Sequence, residues 1–302
     1  MPPITHPDRV VDPHSGITKG ELARIMERVA PRMWPYLDHR ILAVLRCPEG
    51  IASACFFQRH LRTPLPGLAA FTAEGGDAPD SLRAAIALTA PEGIVSLVQI
   101  GAIEIHASPA RTSHPHAGSW MILDLDPMER PFARVAAAAR RLRALLEAMD
   151  LPVFAKITGG KGVHLVTPLD PPAPFEELHA CARAIAERAA ALWPRIFVAT
   201  SRRTLRRGRI FVDYLRNHLG ASAVAPFSPR ARAGLPCAVP VSWPELARLE
   251  SAQAVPLRVL LEYLESRPDP WEAFLSSARP LPADWPGRLA AAAETLAGRR
   301  RW

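Results

Sequence analysis

Two aspartates separated by one residue, Asp124 and Asp126, carry the clearest chemical signal in the sequence. They end the apolar run Ser119-Trp-Met-Ile-Leu-Asp-Leu-Asp126, whose composition predicts a β-strand. Alternate residues of a strand project from one face, so both carboxylates share a side, with Cα atoms about 7 Å apart. Carboxylates at the end of an apolar strand are costly unless a cation or a hydrogen-bond network receives them. The pair predicts a divalent-cation site, against the simpler alternative of two solvent-facing acids.

A glycine-rich segment, Thr158-Gly-Gly-Lys-Gly-Val-His164, lies between two predicted strands. Its glycines let backbone N–H groups turn toward a phosphate, and Lys161 and His164 add charge-assisted donors. It is not a Walker loop, because Lys161 is followed by Gly162 and a strand rather than by Ser or Thr and a helix. A plain hairpin turn is the alternative, but it does not account for the clustered Thr, Lys and His. The segment predicts phosphate binding.

A third acid, Asp213, stands in another apolar strand, Ile210-Phe-Val-Asp-Tyr-Leu215. With the first pair it completes the set of carboxylates that two-metal nucleotidyl transfer requires, with cations about 3.5–4 Å apart. The basic run Ser201-Arg-Arg-Thr-Leu-Arg-Arg-Gly-Arg209 precedes this acid, and Arg230 and Arg232 follow it. A solvated basic face is the alternative, but beside carboxylates and a phosphate loop this charge favours binding of nucleic acid and triphosphate.

The composition of the whole chain is that of a basic globular protein. Its 302 residues include 37 basic and 29 acidic side chains, a formal charge of +8. This charge is typical of proteins with a polyanionic partner, nucleic acid or an anionic membrane surface, and a merely soluble basic protein remains an equal alternative on charge alone. No apolar run approaches the length that spans a bilayer, which predicts a cytoplasmic protein. No C-x-x-C pair is formed by Cys47, Cys55, Cys181 and Cys237, which excludes a zinc-ribbon or thioredoxin-like motif. In the cytosol we expect these cysteines to be reduced and mostly buried.

The elements that must position these residues follow from the periodicity of the apolar side chains. Helices are predicted at 19–32, 92–99, 131–149 and 175–192, with helical segments and Pro-rich joints after residue 243. Strands are predicted at 41–45, 102–106, 119–126, 152–157, 163–167, 196–200 and 209–215, and a His/Pro-rich loop at 107–118. This alternation predicts an α/β (mixed α+β) fold, with central β-sheets flanked by helices and the acids on strands. An N-terminal module, 1–115, and a catalytic module with a helical C-terminal region, 116–302, together form one compact domain.

The order of the motifs resembles a known family. Asp124-Leu-Asp126, Thr158 to His164, Phe211-Val-Asp213 and Ala225-Pro-Phe-Ser-Pro-Arg230 together resemble the polymerase domain of bacterial ligase D (LigD), in the archaeo-eukaryotic primase superfamily. The resemblance extends from about residue 8 to the region of Trp271 and implies a primase-like fold. It implies a template- and metal-dependent nucleotidyltransferase, a DNA-directed polymerase that prefers NTPs and performs gap filling and end extension in non-homologous end joining. A primase-polymerase of replication or lesion bypass, and a non-catalytic DNA-end-binding module, remain alternatives.

The resemblance also implies a role for each motif residue. Two Mn²⁺ (or Mg²⁺) ions would be bound by the catalytic acids Asp124, Asp126 and Asp213. The nucleotide would be held by His106, near the ribose 2′-hydroxyl, and on the triphosphate by Thr158, Lys161, His164 and Arg230. DNA would be held by Arg9 and Lys19 at a 5′-phosphate, by stacking of Phe56 and Phe57 on the template, and by Arg206 near the template. The module 1–115 would thus recognise the DNA end.

The partners implied by the resemblance are gapped or broken DNA with a 5′-phosphate, NTP and dNTP substrates, Ku and a separate ligase, and no membrane. The three lysines include none in a K-x-D-G adenylation motif, and no second catalytic region could serve as a phosphoesterase. We therefore expect a stand-alone polymerase, with an excised domain as the alternative. Action on DNA predicts a cytoplasmic protein associated with the nucleoid.

Overall fold

The computed structural model describes residues 3–74, 79–128 and 131–298. The chain forms two compact units, the first comprising residues 1–115, 222–239 and 253–268 and the second residues 116–221, 240–252 and 269–302. The sequence pattern also placed a division after residue 115, but it assigned everything beyond that point to the catalytic module. Two later segments instead return to the first unit, and one of them carries Arg230.

The helices and strands alternate along the chain. The strands are β1 (Val10–Asp12), β2 (Ile17–Thr18), β3 (Arg40–Arg46), β4 (Phe56–Gln58), β5 (Leu68–Phe71), β6 (Ala85–Leu88), β7 (Ala102–Arg111), β8 (Ala117–Pro127), β9 (Phe154–Ile157), β10 (Val163–Pro174), β11 (Phe197–Val198), β12 (Ile210–Asp213), β13 (Ala223–Val224) and β14 (Pro240–Val241). The helices are α1 (Lys19–Leu37), α2 (Gly93–Gln99), α3 (Phe132–Ala148), α4 (Phe175–Leu192), α5 (Trp243–Arg248), α6 (Leu260–Glu265) and α7 (Trp285–Gly298). None of these helices combines the length and the apolar character that crossing a bilayer requires.

The first unit is built on an antiparallel sheet in the order β13-β7-β3-β6-β5, with β4 paired to β3. Helix α1 begins with a capping box, in which the Thr18 hydroxyl accepts from the Glu21 N–H and the Glu21 carboxylate accepts from the Thr18 N–H. It packs against α2 and α6. The helix runs to Leu37, past the predicted end at residue 32, because its buried face continues through Met33, Tyr36 and Leu37, while the prolines within it are exposed.

The second unit is built on a sheet in the order β11-β12-β8-β10-β9-β14, antiparallel except for the β11–β12 pair. Helices α3 and α4 pack on β8 and β10, and α7 packs on both helices. The core between these elements contains Val135, Leu142 and Ile185, which are fully buried. The mixed α/β architecture with flanked sheets confirms the predicted fold class.

The predicted loop at 107–118 is wrong at both ends. Strand β7 continues to Arg111, which pairs with Arg40 of β3, and β8 already begins at Ala117. The buried guanidinium of Arg40 stabilises this extension by donating hydrogen bonds to the carbonyls of Tyr36, Ser108 and Pro109. Long-range contacts of this kind leave no periodic signal in the local sequence. The strands predicted at 196–200 and 209–215 are present but shorter, as β11 and β12.

The expectation of four reduced thiols is wrong for two of them. Cys47 and Cys55 form a disulfide that closes a short loop between β3 and β4. Cys181 and Cys237 are free and buried. Burial raises the pKa of the Cys181 thiol to about 12 and also raises that of Cys237, so both remain protonated.

Candidate active site and nucleic-acid interface

The three predicted metal ligands meet on one face of the second unit's sheet. Asp213 of β12 pairs directly with Asp124 of β8, and Asp126 lies two residues further along β8. Directly paired residues of neighbouring strands project to the same face. Leu123 and Leu125, which alternate with the acids, are buried on the opposite face. The strand alternation thus places the three carboxylates together, as the sequence predicted for their strands.

A row of polar side chains extends from these acids across the sheet. His164 of β10 pairs with Asp124, and Lys156 of β9 pairs with His164. His164 Nε2 lies 3.5 Å from Asp124 Oδ2, and in the described part of the chain the buried Nδ1 has no hydrogen-bond partner. Burial and the charge of Lys156 lower the pKa of His164 to about 4, although Asp124 opposes this, so the ring is neutral at pH 7. Lys156, only 2% exposed, had no role in the sequence-based predictions.

The two paired acids have opposite pKa shifts. Burial would raise the pKa of Asp124, but the nearby His164, Arg216 and Lys156 outweigh it and lower that pKa. Burial raises the pKa of Asp213, and the charges of Asp124 and Asp126 add to this while Arg216 opposes it. Asp124 therefore holds its negative charge to lower pH than Asp213 does.

Two arginines pair with the acids. Arg206 Nη2 lies 2.5 Å from Asp126 Oδ2, and its guanidinium lies 5.0 Å from the centre of the Phe211 ring. Arg216 Nη2 lies 3.3 Å from Asp213 Oδ2, and its Nε lies 4.0 Å from Asp124 Oδ2. Arg216 was missed by the sequence reasoning, although its position three residues after Asp213 was the available signal.

The carboxylates suit a hard divalent cation in their chemistry, because Mg²⁺ and Mn²⁺ prefer oxygen ligands. Among the described residues, no three His, Cys, Asp or Glu side chains are arranged to ligate one metal ion. The guanidinium groups of Arg206 and Arg216 lie against the carboxylate oxygens. The donor set therefore fits a divalent cation, but the side chains would have to rearrange to close around it.

The glycine-rich loop packs against the strand that carries the acids. The Thr158 hydroxyl donates to the Gly162 carbonyl at 3.1 Å and accepts from the N–H groups of Gly160 and Gly162 at 3.2 Å. A Cβ at Gly162 would lie 2.3 Å from the Leu125 carbonyl oxygen, so only glycine fits there. Lys161 is exposed. The hydroxyl of Thr158 thus shapes the loop, and Lys161 is accessible to a ligand.

In the first unit, the structure brings together the two predicted 5′-phosphate ligands. The Lys19 N–H donates to the Arg9 carbonyl at 2.8 Å. The Lys19 ammonium donates to the Thr5 carbonyl, and Arg9 pairs with Glu49 at 2.8 Å. Burial, with the positive charges of Arg9 and Arg46, lowers the pKa of Lys19. Three basic side chains therefore share one neighbourhood, where an anion would relieve their repulsion.

The predicted stacking pair is exposed. Phe56 and Phe57 of β4 are 48% and 58% exposed. The Arg46 guanidinium lies 5.4 Å from the centre of the Phe56 ring, and the Phe57 ring meets His106 edge-on at 5.2 Å. A pocket of about 260 Å³ beside these rings is also lined by Gln58, Arg59, His60 and Arg62. Exposed aromatic rings among arginines are typical of surfaces that bind single-stranded nucleic acid.

Two predicted nucleotide ligands of the first unit converge on one buried acid. His106 Nε2 lies 2.8 Å from Glu104 Oε2, and Arg230 Nε lies 2.9 Å from the same oxygen. The Ala231 N–H donates to Glu104 Oε1 at 3.0 Å. Burial would raise the pKa of Glu104, but His106, Arg230 and the Ala231 N–H lower it to about 2. Glu104 was not among the sequence-predicted residues, although it lies two residues before His106 on the same strand.

Comparison with known protein families shows which family this chain belongs to. A family model described as "LigD, primase-polymerase domain" matches residues 18–271. The chain belongs to the LigD primase-polymerase domain family. The predicted family is confirmed, and with it the prediction of a metal-dependent nucleotidyltransferase, a domain of the kind found in non-homologous end joining proteins.

Known LigD proteins are similar over most of this chain. The multifunctional non-homologous end joining protein LigD of Pseudomonas aeruginosa is 36% identical over 286 residues, which cover 93% of this chain and 34% of that protein. The bifunctional LigD of Bacillus subtilis is 26% identical over 245 residues, covering 80% of this chain and 39% of that protein. The polymerase domain of Mycobacterium tuberculosis ligase D, solved in complex with DNA, is 27% identical with a TM-score of 0.83, covering 92% of this chain and 99% of that one. The chain spans about a third of the length of the curated relatives.

Proposed function

We propose that this LigD-type domain adds nucleotides to DNA ends under the direction of a template, filling gaps and extending broken ends in non-homologous end joining. The observation that carries the proposal is the pairing of Asp124 with Asp213, beside Asp126, on one face of a sheet. Three carboxylates on one face would supply the oxygen ligands that two-metal nucleotidyl transfer needs, once the side chains close around the ions. The neutral His164 lies next to them on β10, and the glycine-rich loop connects β9 to that strand.

Asp124, Asp126 and Asp213 would hold two Mn²⁺ or Mg²⁺ ions. When bound, such ions supply the positive charge that activates a 3′-hydroxyl and stabilises the leaving pyrophosphate. Arg206 and Arg216 pair with these carboxylates, so cation binding would compete with two guanidinium groups. The domain would therefore bind its metal weakly without substrate, and binding of template or triphosphate would draw the arginines away from the acids.

The nucleotide would be bound by basic side chains, histidine rings and a loop shaped by a threonine hydroxyl. Lys161, at the exposed tip of the loop, would pair with triphosphate oxygens. His164 would offer a ring N–H, and Thr158 would hold the loop in shape through its three backbone hydrogen bonds. In the first unit, Arg230 would bind the triphosphate and His106 the ribose 2′-hydroxyl, which gives a preference for NTPs over dNTPs.

DNA would be recognised by the basic and aromatic residues. Arg9 and Lys19 would bind the 5′-phosphate of a gap, Phe56 and Phe57 would stack on the template, and Arg206 would contact the template near the acids. The similar M. tuberculosis domain was solved with DNA, which supports this substrate. The relatives are named for non-homologous end joining, which supports action at broken DNA ends. Ku and a separate ligase would then be partners, and the protein would act in the cytoplasm, at the nucleoid.

The experiment is primer extension on a gapped duplex with a 5′-phosphate, comparing NTPs with dNTPs and Mn²⁺ with Mg²⁺. We expect templated additions that fill the gap, with NTPs preferred and Mn²⁺ the better metal. An unprimed single strand provides the comparison with a primase, since chains started there would show a different activity. The absence of any incorporation on the primed gap, with either metal, would contradict the proposal.

A further inference from the structure

We propose that Glu104 is a positioning residue for the nucleotide, which fixes the orientation of His106 and Arg230 and thereby sets the preference for ribonucleotides. This inference rests on the proposed nucleotidyl-transfer function. Glu104 is 4% exposed and lies on β7, with its two carboxylate oxygens occupied by His106, Arg230 and the Ala231 N–H. It would act through its neighbours rather than touch the reacting atoms.

The contact with His106 determines which ring nitrogen carries the proton. A carboxylate only accepts hydrogen bonds, so the nitrogen facing Glu104 Oε2 at 2.8 Å, Nε2, must be the donor. The other ring nitrogen, Nδ1, would then face the ribose 2′-hydroxyl, which can both donate and accept a hydrogen bond. The edge contact with Phe57 restricts the same ring from another side. Glu104 therefore fixes which ring nitrogen of His106 faces it and, with Phe57, the tilt of the ring.

The contacts with residues 230 and 231 fix a segment that is distant in sequence. Glu104 and Ala231, which hydrogen-bond at 3.0 Å, are separated by 127 positions. The same segment is also attached to β7 elsewhere, because Val224 pairs with His106 and the Ile105 N–H donates to the Ser228 hydroxyl. The backbone would stay in place without Glu104, but the Arg230 guanidinium would lose the anion at 2.9 Å that directs it.

The charge of Glu104 is essential to this arrangement. Its partners outweigh burial and lower its pKa to about 2, so the carboxylate is ionised throughout the neutral range. Glutamine has nearly the same shape and still offers one acceptor oxygen, but it carries no charge for Arg230. Glu104→Gln thus removes the electrostatic restraint with little change in volume.

The test measures the NTP-over-dNTP preference of the full chain by equilibrium binding of fluorescent ATP and dATP and by single-gap filling. The proteins are wild type, Glu104→Gln, His106→Ala and the double variant. We expect Glu104→Gln to reduce the preference by about threefold to tenfold, the scale of one hydrogen bond, mainly through KM for NTPs. Because both changes act through one contact, we expect the double variant to show the same preference as His106→Ala.

Asp12→Asn is the matched control. Asp12 is a fully buried carboxylate of the same unit, and it accepts from Ser15 and from the N–H groups of His14 and Gly234. Its substitution is expected to lower the melting temperature without changing the nucleotide preference. If Glu104→Gln behaves like this control, Glu104 serves only the fold and the inference is wrong.

Two further outcomes separate this inference from the proposed function. If His106→Ala keeps the wild-type preference while wild type fills gaps, the sugar-sensing role and the inference fail and the proposed function stands. If wild type fills no gap, the proposed function fails, and the binding titrations still decide the role of Glu104. If Glu104→Gln does not fold, Glu104→Asp replaces it, because aspartate keeps the charge but its shorter side chain moves the oxygens away from His106 and Arg230. We expect Glu104→Asp to reduce the preference for NTPs over dNTPs. A wild-type preference in that variant would overturn the inference.

Discussion

Gly162→Ala tests whether the glycine-rich loop must press against the strand that carries the acids. A Cβ at this position would lie 2.3 Å from the Leu125 carbonyl oxygen and 3.4 Å from Asp124 Oδ1. Real Cβ contacts essentially never fall below 3.0 Å. The loop and β8 must therefore separate by at least 0.7 Å, the difference between 3.0 Å and the 2.3 Å contact with Leu125. Overpacking of this kind costs about 1–3 kcal/mol.

The shift acts directly on the candidate active site. Leu125 lies between Asp124 and Asp126 and pairs with Val163, next to His164. Misplacing reacting groups by about 1 Å can cost roughly 100-fold in rate. We therefore expect Gly162→Ala to lower primer extension by one to two orders of magnitude and the melting temperature by a few degrees.

Gly287→Ala is the control for this experiment. It lies in α7 of the same unit, and a Cβ there would have no atom within 4 Å. Alanine favours helix by up to about 1 kcal/mol relative to glycine, so stability should be unchanged or slightly higher and extension unchanged. Wild-type extension and melting temperature in Gly162→Ala would refute the close approach and the reasoning built on it.

Three further predictions follow from the first unit. Lys19→Ala should weaken binding to a gap with a 5′-phosphate and reduce the slope of log binding constant against log salt concentration by about one. If the variant still discriminates against an unphosphorylated gap as wild type does, Lys19 does not bind the 5′-phosphate. The folded pKa of Glu104, about 2, lies below its ordinary 4.5, so its stabilisation is present above pH 4.5 and is lost as the pH falls toward 2. In urea unfolding, wild type should be more stable than Glu104→Gln by up to about 3 kcal/mol at pH 7, and this difference should shrink at pH 3. A difference that is the same at both pH values would contradict the lowered pKa of Glu104. Cys55→Ser should lower the free energy of unfolding by about 2.5 kcal/mol, because the loop closed by the Cys47–Cys55 disulfide opens. A reductant should destabilise wild type but not this variant. A wild-type stability that does not change with reductant would argue against the disulfide.

Local patterns in the sequence were sufficient for much of the fold. The helix predicted at 175–192 has those bounds in the structure, because a proline precedes it and its apolar face is regular. The placement of Asp124, Asp126 and Asp213 on strands also followed from alternation of acidic and apolar residues. In each case the deciding interactions lie within one element.

Contacts between distant segments were not predictable in this way. The pairing of Asp213 with Asp124, the return of Arg230 to Glu104 and the row from Lys156 to His164 depend on which strands become neighbours. The periodicity of a single strand carries no information about its partner. The disulfide was missed for the same reason, because only the folded turn between β3 and β4 brings the two cysteines together.

The most direct test of the proposed function is extension of a primed, 5′-phosphorylated gap by Asp124→Ala, with binding to the same DNA measured in parallel. Asp124 lies at the centre of the polar row and would hold the metal without contacting DNA phosphates. We predict that extension is abolished while the DNA dissociation constant stays within about threefold of wild type, less than one hydrogen bond is worth. Extension within tenfold of the wild-type rate would contradict metal-dependent nucleotidyl transfer at these acids.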